Sequence, residues 1–353
     1  MNISFVTANL GSGGAERVIS ILANEFDKHG HRVEIVFFKD RHVFYPVNNG
    51  IRKVVASEEC KSSAMWKRLM WFRHYIKRTK PDVVIPFRVS VYTTTLFSLL
   101  GVSVPIISSE RIDPHIPDPF WNTLRVLLLP FTTHLVVQTS YIKSFYPRFI
   151  QKKTTIILNP VRELGLPTEI ACKENRIISV ARLDPQKNQE MMIRAFAQIA
   201  DKYPDWKLVI YGEGPLRAQL EALVSSFMLQ ERVLLPGRTE HVIEELRKSK
   251  VFCFSSNYEG LSNSIIEAIC VGLPVVTTKV SGTEDIIVDG ENGYVIPIND
   301  DHAMVNALSM LLGDEHLIEH MGENNRKKAF MFSIEDIYIQ WENLINKVVQ
   351  NEN

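Results

Sequence analysis

Short apolar runs alternate along the whole chain with longer stretches in which apolar residues recur every three or four positions. The short runs have the length of buried strands, and the longer stretches have the period of helices packed on one face. Strands and helices in this alternating order predict parallel sheets of the α/β class. The predicted strands are 3–8, 32–38, 52–55, 82–87, 105–109 and 134–138, then 176–181, 207–211, 232–235, 251–254, 274–277 and 293–296.

The pattern restarts near residue 176, which indicates two domains. A chain of 353 residues is long for one hydrophobic core and sufficient for two. Residues 156–161 and the polar stretch that follows, through Lys173, predict a hinge. We therefore expect an N-terminal domain at 1–160, a C-terminal domain at 161–335, and a C-terminal helix at 336–353 that packs back toward the first domain.

Composition narrows the class of protein. Hydrophobic residues make up 45% and charged residues 23%, as in soluble globular proteins. The N-terminal apolar run has no basic residue before it and predicts a strand, not a signal peptide. No segment has the roughly 18 uncharged apolar residues that a spanning helix needs. The four cysteines follow no metal or redox spacing, which is typical of reduced thiols in a cytoplasmic protein.

Charge is distributed unequally between the halves. Residues 1–161 contain 21 Lys and Arg against 11 Asp and Glu, and the remainder contains 19 against 29, so net charges of +10 and −10 cancel. A basic half attracts anionic partners. The sequence has no helix-turn-helix, zinc or aromatic RNA-binding pattern, so nucleic acid is not the expected partner. Anionic lipid or a pyrophosphate-linked acceptor fits better.

Ligands of open α/β sheets bind at the carboxyl ends of the strands, so chemistry is expected in the loops that follow them. The segment GSGGAER at 11–17 follows the first strand and precedes a helix, whose first amides favour an anion. It lacks the dinucleotide-binding spacing of three glycines because position 16 is a glutamate. A tight strand-to-helix turn without a ligand is the alternative interpretation.

Two cations and two glycines follow strands of the second half. Arg182 and Lys187 lie between a strand and a helix, where together they could neutralise a diphosphate. Solvated surface cations are the alternative. Gly212 and Gly214 follow the next strand, where the backbone passes close either to a ligand or to a neighbouring segment of the chain.

Two carboxylates flank the start of the helix that follows strand 251–254. Ser262 or Asn263 is the expected N-cap, so Glu259 lies in the preceding loop and Glu267 more than one turn inside the helix. The amides between them would face an anion. Helix capping with a solvated Glu267 is the alternative, although its apolar neighbours favour burial.

Taken together and in order, these motifs resemble glycosyltransferase family 4, of GT-B architecture, over essentially the whole chain. The resemblance implies an α/β fold with two Rossmann-like domains whose parallel sheets face each other across a cleft. Within the family, the sequence is similar to bacterial enzymes that build cell-surface polysaccharides or lipid-linked oligosaccharides, including N-acetylgalactosaminyltransferases. The motifs that carry it are Glu259 with Glu267, Arg182 with Lys187, GEGP at 212–215, GLPV at 272–275 and SGGAER at 12–17.

The resemblance also implies a role for each motif. Arg182 and Lys187 would bind the donor diphosphate, Glu259 the hydroxyls of the donor sugar, and Glu267 the ribose; the first three form the implied catalytic group. The further implied donor contacts are Gly214, Leu261, Ser262, Asn263 and Ser264, and the implied acceptor and diphosphate loop comprises Gly13, Gly14, Glu16, Glu110 and Arg111.

Two segments depart from the family pattern. Many members have a histidine after the strand at 105–109, whereas this chain reads SERIDPH at 109–115. The glycine pair often found after the last motif is Ser281-Gly282-Thr283 here, followed by Glu284. The chain therefore brings a glutamate and an arginine, not that histidine, directly after the strand on the acceptor side.

The implied activity is that of a hexosyltransferase (EC 2.4) that retains anomeric configuration. It would move a hexose or N-acetylhexosamine from a nucleotide-diphosphate sugar, expected to be UDP-linked, to a membrane-associated glycan such as a polyprenyl-diphosphate-linked saccharide in lipopolysaccharide or capsule synthesis. Charge building on the leaving diphosphate would be stabilised by Arg182, Lys187 and helix amides. No Asp-x-Asp pattern indicates a metal, so neither metal nor cofactor is expected beyond the donor substrate.

The stretch 61–80 is both basic and aromatic. As a helix it would place Met65, Leu69, Phe72 and Ile76 on one stripe and its cations on other faces. Such a helix can lie in a membrane interface, which predicts a peripheral protein on the inner face of the cytoplasmic membrane. A crossover helix packed on the sheet, with a solvated basic face, is the alternative. The apolar stretch 119–131 would either join the membrane surface or belong to the core.

Because a fold does not fix its chemistry, other functions stay open. A nucleotide-sugar epimerase or related GT-B enzyme would convert the donor without an acceptor. A non-catalytic membrane-associated scaffold would keep its cellular function after Glu259→Ala. A dehydrogenase would bind nicotinamide.

Overall fold

Parallel strands joined by helices form two units in the chain. The first unit comprises Met1–Arg162 and Ile334–Asn353, and the second comprises Glu163–Ser333. The computed structural model describes residues 1–11, 13–39, 43–60, 62, 64–115, 118–161 and 173–350. Most of the predicted hinge, residues 162–172, lies outside this description, as does Ser12. The predicted α/β class with two Rossmann-like halves is confirmed.

The first unit contains the following elements, in chain order. Its strands are β1 (Asn2–Thr7), β2 (Arg32–Phe37), β3 (Arg52–Val55), β4 (Val83–Pro86), β5 (Ile107–Ser109), β6 (His134–Val137) and β7 (Thr154–Ile156). Its helices are α1 (Gly14–Lys28), α2 (Ala56–Glu59), α3 (Met65–Thr79), α4 (Val89–Ser98), α5 (Pro119–Leu128), α6 (Ser140–Phe145) and α7 (Arg148–Gln151), with a 3-10 turn at Leu129–Phe131.

The strands of the first unit pair in parallel in the order β3-β2-β1-β4, and bridges from β4 continue the order through β5-β6-β7. Both faces of this sheet are buried, as in parallel sheets generally. Ile3 and Phe5 of β1 join one hydrophobic cluster and Val6 joins the other, because successive side chains of a strand point to opposite faces.

The C-terminal helix α15 (Ile334–Gln350) packs in the first unit. Ile337, Trp341 and Ile345 recur every four residues and are buried in the same cluster as Phe5. The Trp341 ring stacks on the Phe87 ring with 6.1 Å between centroids. The helix begins two residues before the predicted 336.

The second unit has its own core and its own sheet. Its strands are β8 (Arg176–Val180), β9 (Lys207–Tyr211), β10 (Val233–Gly237), β11 (Val251–Phe254), β12 (Val275–Thr278) and β13 (Gly293–Ile296). Its helices are α8 (Gln189–Ile199), α9 (Arg217–Ser226), α10 (Val242–Arg247), α11 (Asn263–Cys270), α12 (Thr283–Ile286), α13 (Asp301–Leu312) and α14 (Glu315–Lys328), with a 3-10 turn at Ala329–Phe332. The strands pair in parallel in the order β10-β9-β8-β11-β12-β13.

Sequence patterns located nearly every strand, but they missed β7. Its three residues carry little apolar signal, and Ile156 was assigned to the hinge. The strand exists because it pairs in parallel with β6, an interaction that local sequence does not report.

Burial raises the pKa of the Cys253 and Cys270 thiols to about 12, so both stay protonated at neutral pH. No helix within the described ranges is long and apolar enough to cross a bilayer.

Trp341 allows a direct test of how firmly α15 is held in the first unit. We expect Trp341→Ala to lower the free energy of unfolding by about 3–5 kcal/mol, because it empties a large, fully buried site. Ile339→Ala is the matched control on the same helix, since Ile339 is 49% exposed, and it should change stability by less than about 0.5 kcal/mol. Urea unfolding followed by circular dichroism measures both, and equal losses would contradict this packing.

Candidate active site

The order of strands in the second unit reverses between β8 and β11. From β8 the chain proceeds outward to β9 and β10, then returns to β11 and proceeds the other way. In open α/β sheets, ligands bind in the crevice outside the carboxyl ends of the strands at such a reversal. The loop of residues 181–188 follows β8 and the loop of residues 255–262 follows β11, and these are the two loops that the sequence singled out.

Lys187 and Glu259 connect these two loops. The Lys187 ammonium donates to Glu259 Oε1 over 2.5 Å and lies 5.1 Å from the centre of the Phe254 ring. The side chains of Lys187 and Glu259 are only 14% and 12% exposed. A charge pair shielded from water to this degree is held in place more firmly than a surface pair. The sequence predicted Lys187 and Glu259 as site residues in two separate segments, and the structure shows that they are in direct contact.

Arg182 lies at the mouth of the same loop and is far more accessible, with 67% of its side chain exposed. Its guanidinium is 3.0 Å from Asp184 Oδ2 and donates to Gln186 Oε1 over 3.3 Å. Asp184 and Gln186 therefore aim the guanidinium while most of it faces solvent. An arginine held in this way presents a planar set of N–H donors to an oxyanion.

Gln186 and Asn257 fix the two loops to each other. Neither residue was predicted from the sequence as part of the site. The Gln186 amide donates to the Tyr258 carbonyl over 2.9 Å and to Glu259 Oε1 over 3.3 Å. The Asn257 amide side chain donates to the Pro185 carbonyl over 3.0 Å. These two side chains can connect the loops only because β8 and β11 are neighbours in the sheet. The paired residues of β8 and β11 are 74 positions apart in sequence, so no local pattern predicts these bonds.

Ser262 is the N-cap of α11, as predicted, and its hydroxyl lies 3.0 Å from that of Ser264. The first-turn amides of a helix lack partners within the helix and favour negative charge. The segment Leu261–Ser264 therefore places a partial positive charge beside the Lys187–Glu259 pair. Glu267 lies inside the helix and is buried, so the alternative of a solvated Glu267 is wrong.

Gly212 and Gly214 follow β9 and pack against the loop 181–188. A Cβ on Gly214 would lie 2.2 Å from the Leu183 carbonyl oxygen, and one on Gly212 would lie 1.8 Å from that of Ala181. Of the two interpretations, close passage past a neighbouring chain segment is the one observed. These glycines let the Arg182 loop lie against the end of β9, and donor contact by Gly214 stays a prediction.

The first unit has a second reversal of strand order, between β1 and β4. Gly13 is the N-cap of α1 after β1, and α1 begins at Gly14. The Glu16 carboxylate folds back onto Gly13, where an added Cβ would meet it at 2.2 Å. Glu16 also accepts a hydrogen bond of 2.9 Å from Arg88, which follows β4. Arg88 comes directly after a predicted strand, so its position was visible in the sequence, but it was not singled out.

Glu110 lies at the end of β5 and is fully buried. Its Oε2 accepts from Arg125 over 3.0 Å, from Tyr92 over 2.7 Å and from Tyr146 over 3.1 Å. Burial, reinforced by the carboxylate, raises the pKa of both phenols, which therefore stay protonated donors. These bonds connect the residue after β5 to α5, to α4 and to Tyr146, so the Glu110 carboxylate fixes the start of the loop that carries Arg111. Acceptor contact by Glu110 stays a prediction.

Arg111 is held on three sides. Its Nε donates to Ser109 Oγ and its Nη1 to Asn159 Oδ1, each over 2.8 Å, and the guanidinium lies 4.8 Å from the centre of the Phe87 ring. Burial lowers the pKa of Arg111 to about 9, with Glu110 opposing that effect only in part. The group is therefore a cation at neutral pH that has lost much of its hydration.

The structure bears on one of the two interpretations of the stretch 61–80. Phe72, Tyr75 and Ile76 are buried against the sheet, as in a crossover helix, and contact of α3 with a membrane stays a prediction. Trp66 and Met65 are more than half exposed, although Met65 was predicted to share one stripe with Phe72 and Ile76. The stretch 119–131 forms α5 and the 3-10 turn, with Leu128 and Leu129 in the core. Its exposed apolar side chains are Phe120, Val126, Leu127 and Phe131.

Comparisons with known proteins agree with this architecture. Residues 12–162 match the family described as Glycosyltransferase Family 4, and residues 167–328 match Glycosyl transferases group 1. The pneumococcal O-GlcNAc transferase GtfA, solved with UDP and GlcNAc, superposes with a TM-score of 0.83 at 14% identity, covering 99% of each chain. A likeness at this identity shows the fold.

Two relatives come from Campylobacter jejuni. An α-1,4-N-acetyl-D-galactosaminyltransferase, named for a diNAcBac-PP-undecaprenol-linked acceptor, is 31% identical over 99% of each chain. An N-acetylgalactosaminyl-diacetylbacillosaminyl-diphospho-undecaprenol 4-α-N-acetylgalactosaminyltransferase is 27% identical over 92% of this chain and 93% of its own. On the full-length relationship at 31% identity and the two family matches, the chain belongs to glycosyltransferase family 4 and is a glycosyltransferase of GT-B fold.

Proposed function

We propose that the protein is a retaining glycosyltransferase that moves a hexose or N-acetylhexosamine from a UDP-sugar to a polyprenyl-diphosphate-linked saccharide in surface polysaccharide synthesis. The observation that carries this proposal is the Lys187–Glu259 ion pair across the β8–β11 reversal, because it puts a cation and a carboxylate where open α/β sheets bind their ligands. Relatives named for undecaprenyl-linked acceptors and a neighbour of the same fold with bound UDP support the choice of substrates.

The site has to stabilise the negative charge of the leaving diphosphate. Glycosyl transfer passes through an oxocarbenium-like state while negative charge builds on the leaving oxygen. Lys187 has three N–H donors, one of which is engaged by Glu259, and Arg182 has five in a fork. With the first amides of α11, these groups form a preorganised site for that charge, and the proposal requires no metal.

The two carboxylates have different tasks in this proposal. Glu259 contacts the hydroxyls of the donor sugar, and its bond to Lys187 fixes the sugar relative to the diphosphate. Glu267, buried inside α11, accepts from the ribose hydroxyls. Leu261, Ser262, Asn263 and Ser264 contribute the amides of the helix start, and Gly214 completes the donor contacts.

Retention follows from attack on the same face as the departing diphosphate. A donor phosphate oxygen accepts the proton of the acceptor hydroxyl as the new glycosidic bond forms and the bond to the diphosphate breaks. In this proposal the acceptor binds to the first unit, at Gly13, Gly14, Glu16, Glu110 and Arg111. Its net positive charge favours an anionic, lipid-linked acceptor.

The function is tested by incubating the protein with UDP-GalNAc, UDP-GlcNAc or UDP-glucose and a polyprenyl-diphosphate-linked N-acetylhexosamine saccharide. We expect acceptor-dependent transfer of one sugar by mass spectrometry and an α linkage by NMR when the donor is α. Conversion of the donor without an acceptor would indicate an epimerase instead. A β-linked product would contradict retention.

Lys187 gives a quantitative prediction. Lys187→Met keeps the volume of the side chain but removes its charge from the diphosphate site, so we expect kcat/KM for the UDP-sugar to fall by about 10²- to 10³-fold. The affinity for UDP should weaken by about 10- to 100-fold. Steady-state kinetics and calorimetric titration with UDP measure the two effects.

Lys202→Met is the matched control for this change. Lys202 is exposed beyond the far end of α8, roughly 16 Å along the helix from the site. Its substitution removes the same charge and should leave kinetics and UDP affinity unchanged. Equal behaviour of the two variants would remove the basis for the donor site.

We further propose that the protein lies on the inner face of the cytoplasmic membrane through α3. This helix exposes Met65, Trp66 and Lys67 in its first turn and Lys77 and Arg78 in its last, so it offers both apolar side chains for insertion and positive charge. Each basic side chain near an anionic surface contributes about 1 kcal/mol. A membrane position would bring the protein to a lipid-linked acceptor.

Vesicle binding tests the role of α3. Replacing Lys67, Lys77 and Arg78 together by Ala should lower the partition coefficient for phosphatidylglycerol vesicles by about 100-fold, since three attractive charges are lost. Replacing Lys202, Lys207 and Lys327 by Ala changes net charge equally in the second unit and should have little effect. Sedimentation with vesicles at two salt concentrations makes the comparison. Binding that is unaffected by the α3 changes would contradict the proposal.

A further inference from the structure

Arg88 occupies a backbone conformation that arginine rarely adopts. Its φ of 72° and ψ of 148° belong to a region used almost exclusively by glycine. Strand pairing holds the peptide there, because the Phe87 amide donates to the Val6 carbonyl over 3.0 Å and the Arg88 amide to the Ser109 carbonyl over 2.9 Å. A glycine would satisfy this backbone without strain. What the arginine adds is its guanidinium.

The Arg88 guanidinium is oriented by a hydrogen bond and is accessible to solvent. Arg88 is 52% exposed, while Glu16, which accepts from its Nη1, is only 5% exposed. Glu16 is held at the start of α1 against Gly13, so it acts as a fixed support for the exposed Arg88 side chain. Most of the Arg88 N–H donors therefore face solvent at the β1–β4 reversal, where a Rossmann-like sheet binds its ligand.

Arg111 contributes a second guanidinium from the next strand. Arg88 and Arg111 lie on either side of the Phe87–Ser109 bridge that joins β4 to β5. The Arg111 Nη2 is buried and has no hydrogen-bond partner within the described ranges, although its other nitrogens are engaged. A buried, unpaired donor on a cation is costly unless a ligand satisfies it.

The local charges leave this pair incompletely neutralised. Glu110 is engaged by Arg125, whose Nε lies 3.0 Å away. Glu16 is the carboxylate that contacts Arg88. Two guanidinium groups against one carboxylate leave a net positive charge, and guanidinium groups match the oxygens of phosphates in geometry as well as in charge.

We propose that Arg88 and Arg111 bind the diphosphate of the lipid-linked acceptor, with Glu16 as the positioning residue of Arg88. This inference rests on the proposed function and adds to it the group that recognises the anionic part of the acceptor. Arg88, Arg111 and Glu16 belong to the first unit, whereas Arg182 and Lys187 belong to the second. Strain at Arg88 is tolerated because glycine, which would remove it, could not contact the ligand.

The test uses the full chain with saturating UDP, so that the donor site is filled, and inorganic pyrophosphate as the probe. In the unaltered protein we expect calorimetry to detect pyrophosphate binding and kinetics to show competition with the acceptor. Arg88→Gly should weaken pyrophosphate binding and raise the acceptor KM by about 10- to 100-fold, with kcat and UDP affinity unchanged.

Three further variants separate binding from folding. Arg88→Lys keeps the charge and should retain part of the pyrophosphate affinity. Glu16→Gln should give an intermediate loss, since the amide still supports Arg88 without its charge. Arg148→Ala removes an exposed arginine elsewhere in the first unit and should behave as the unaltered protein.

Two results would overturn the inference. One is pyrophosphate affinity and acceptor KM that do not change in Arg88→Gly. The other is a loss of UDP affinity as large as the loss of pyrophosphate affinity, which would assign these arginines to the donor diphosphate. If the unaltered protein failed to bind UDP, the proposed function would fail instead, and pyrophosphate titration without UDP would still test Arg88.

Discussion

Parallel pairing of β8 with β11 is the constraint on which the proposed donor site depends. The strands are joined by about 70 residues of chain, yet pairing brings the ends of both to one edge of the sheet. Lys187 and Glu259 can then form a shielded ion pair, and Gln186 and Asn257 can fix the two loops to each other. Without that pairing, the cations and carboxylates of the second unit would be unrelated surface charges.

The two units use a similar arrangement at the corresponding place. In each unit the order of strands reverses, and at the reversal a cation that follows one strand pairs with a carboxylate that follows the other. The pairs are Lys187 with Glu259 and Arg88 with Glu16. The carboxylate fixes the cation without saturating its donors. A site built in this way is preorganised for an oxyanion before the ligand arrives, which is the property that stabilises developing charge most effectively.

The sequence was sufficient for the fold class and for the start of α11 because their signals are local. Apolar periodicity gave the strands, and Ser262 before an apolar helix placed Glu259 and Glu267 correctly relative to α11. It was insufficient where the cause is non-local. The strand β7 exists through pairing with β6, and Glu110 is buried through bonds to three side chains distant in sequence. The strained φ of Arg88 cannot be predicted from the amino-acid composition of its segment.

A crystal structure of the protein with UDP bound would show where the diphosphate binds. We expect oxygens of the diphosphate within about 3 Å of Lys187 Nζ and of the Arg182 guanidinium, at the start of α11, with ribose hydroxyls on Glu267. A diphosphate bound away from the β8–β11 reversal, with the Lys187–Glu259 pair untouched, would show that this donor site is wrong.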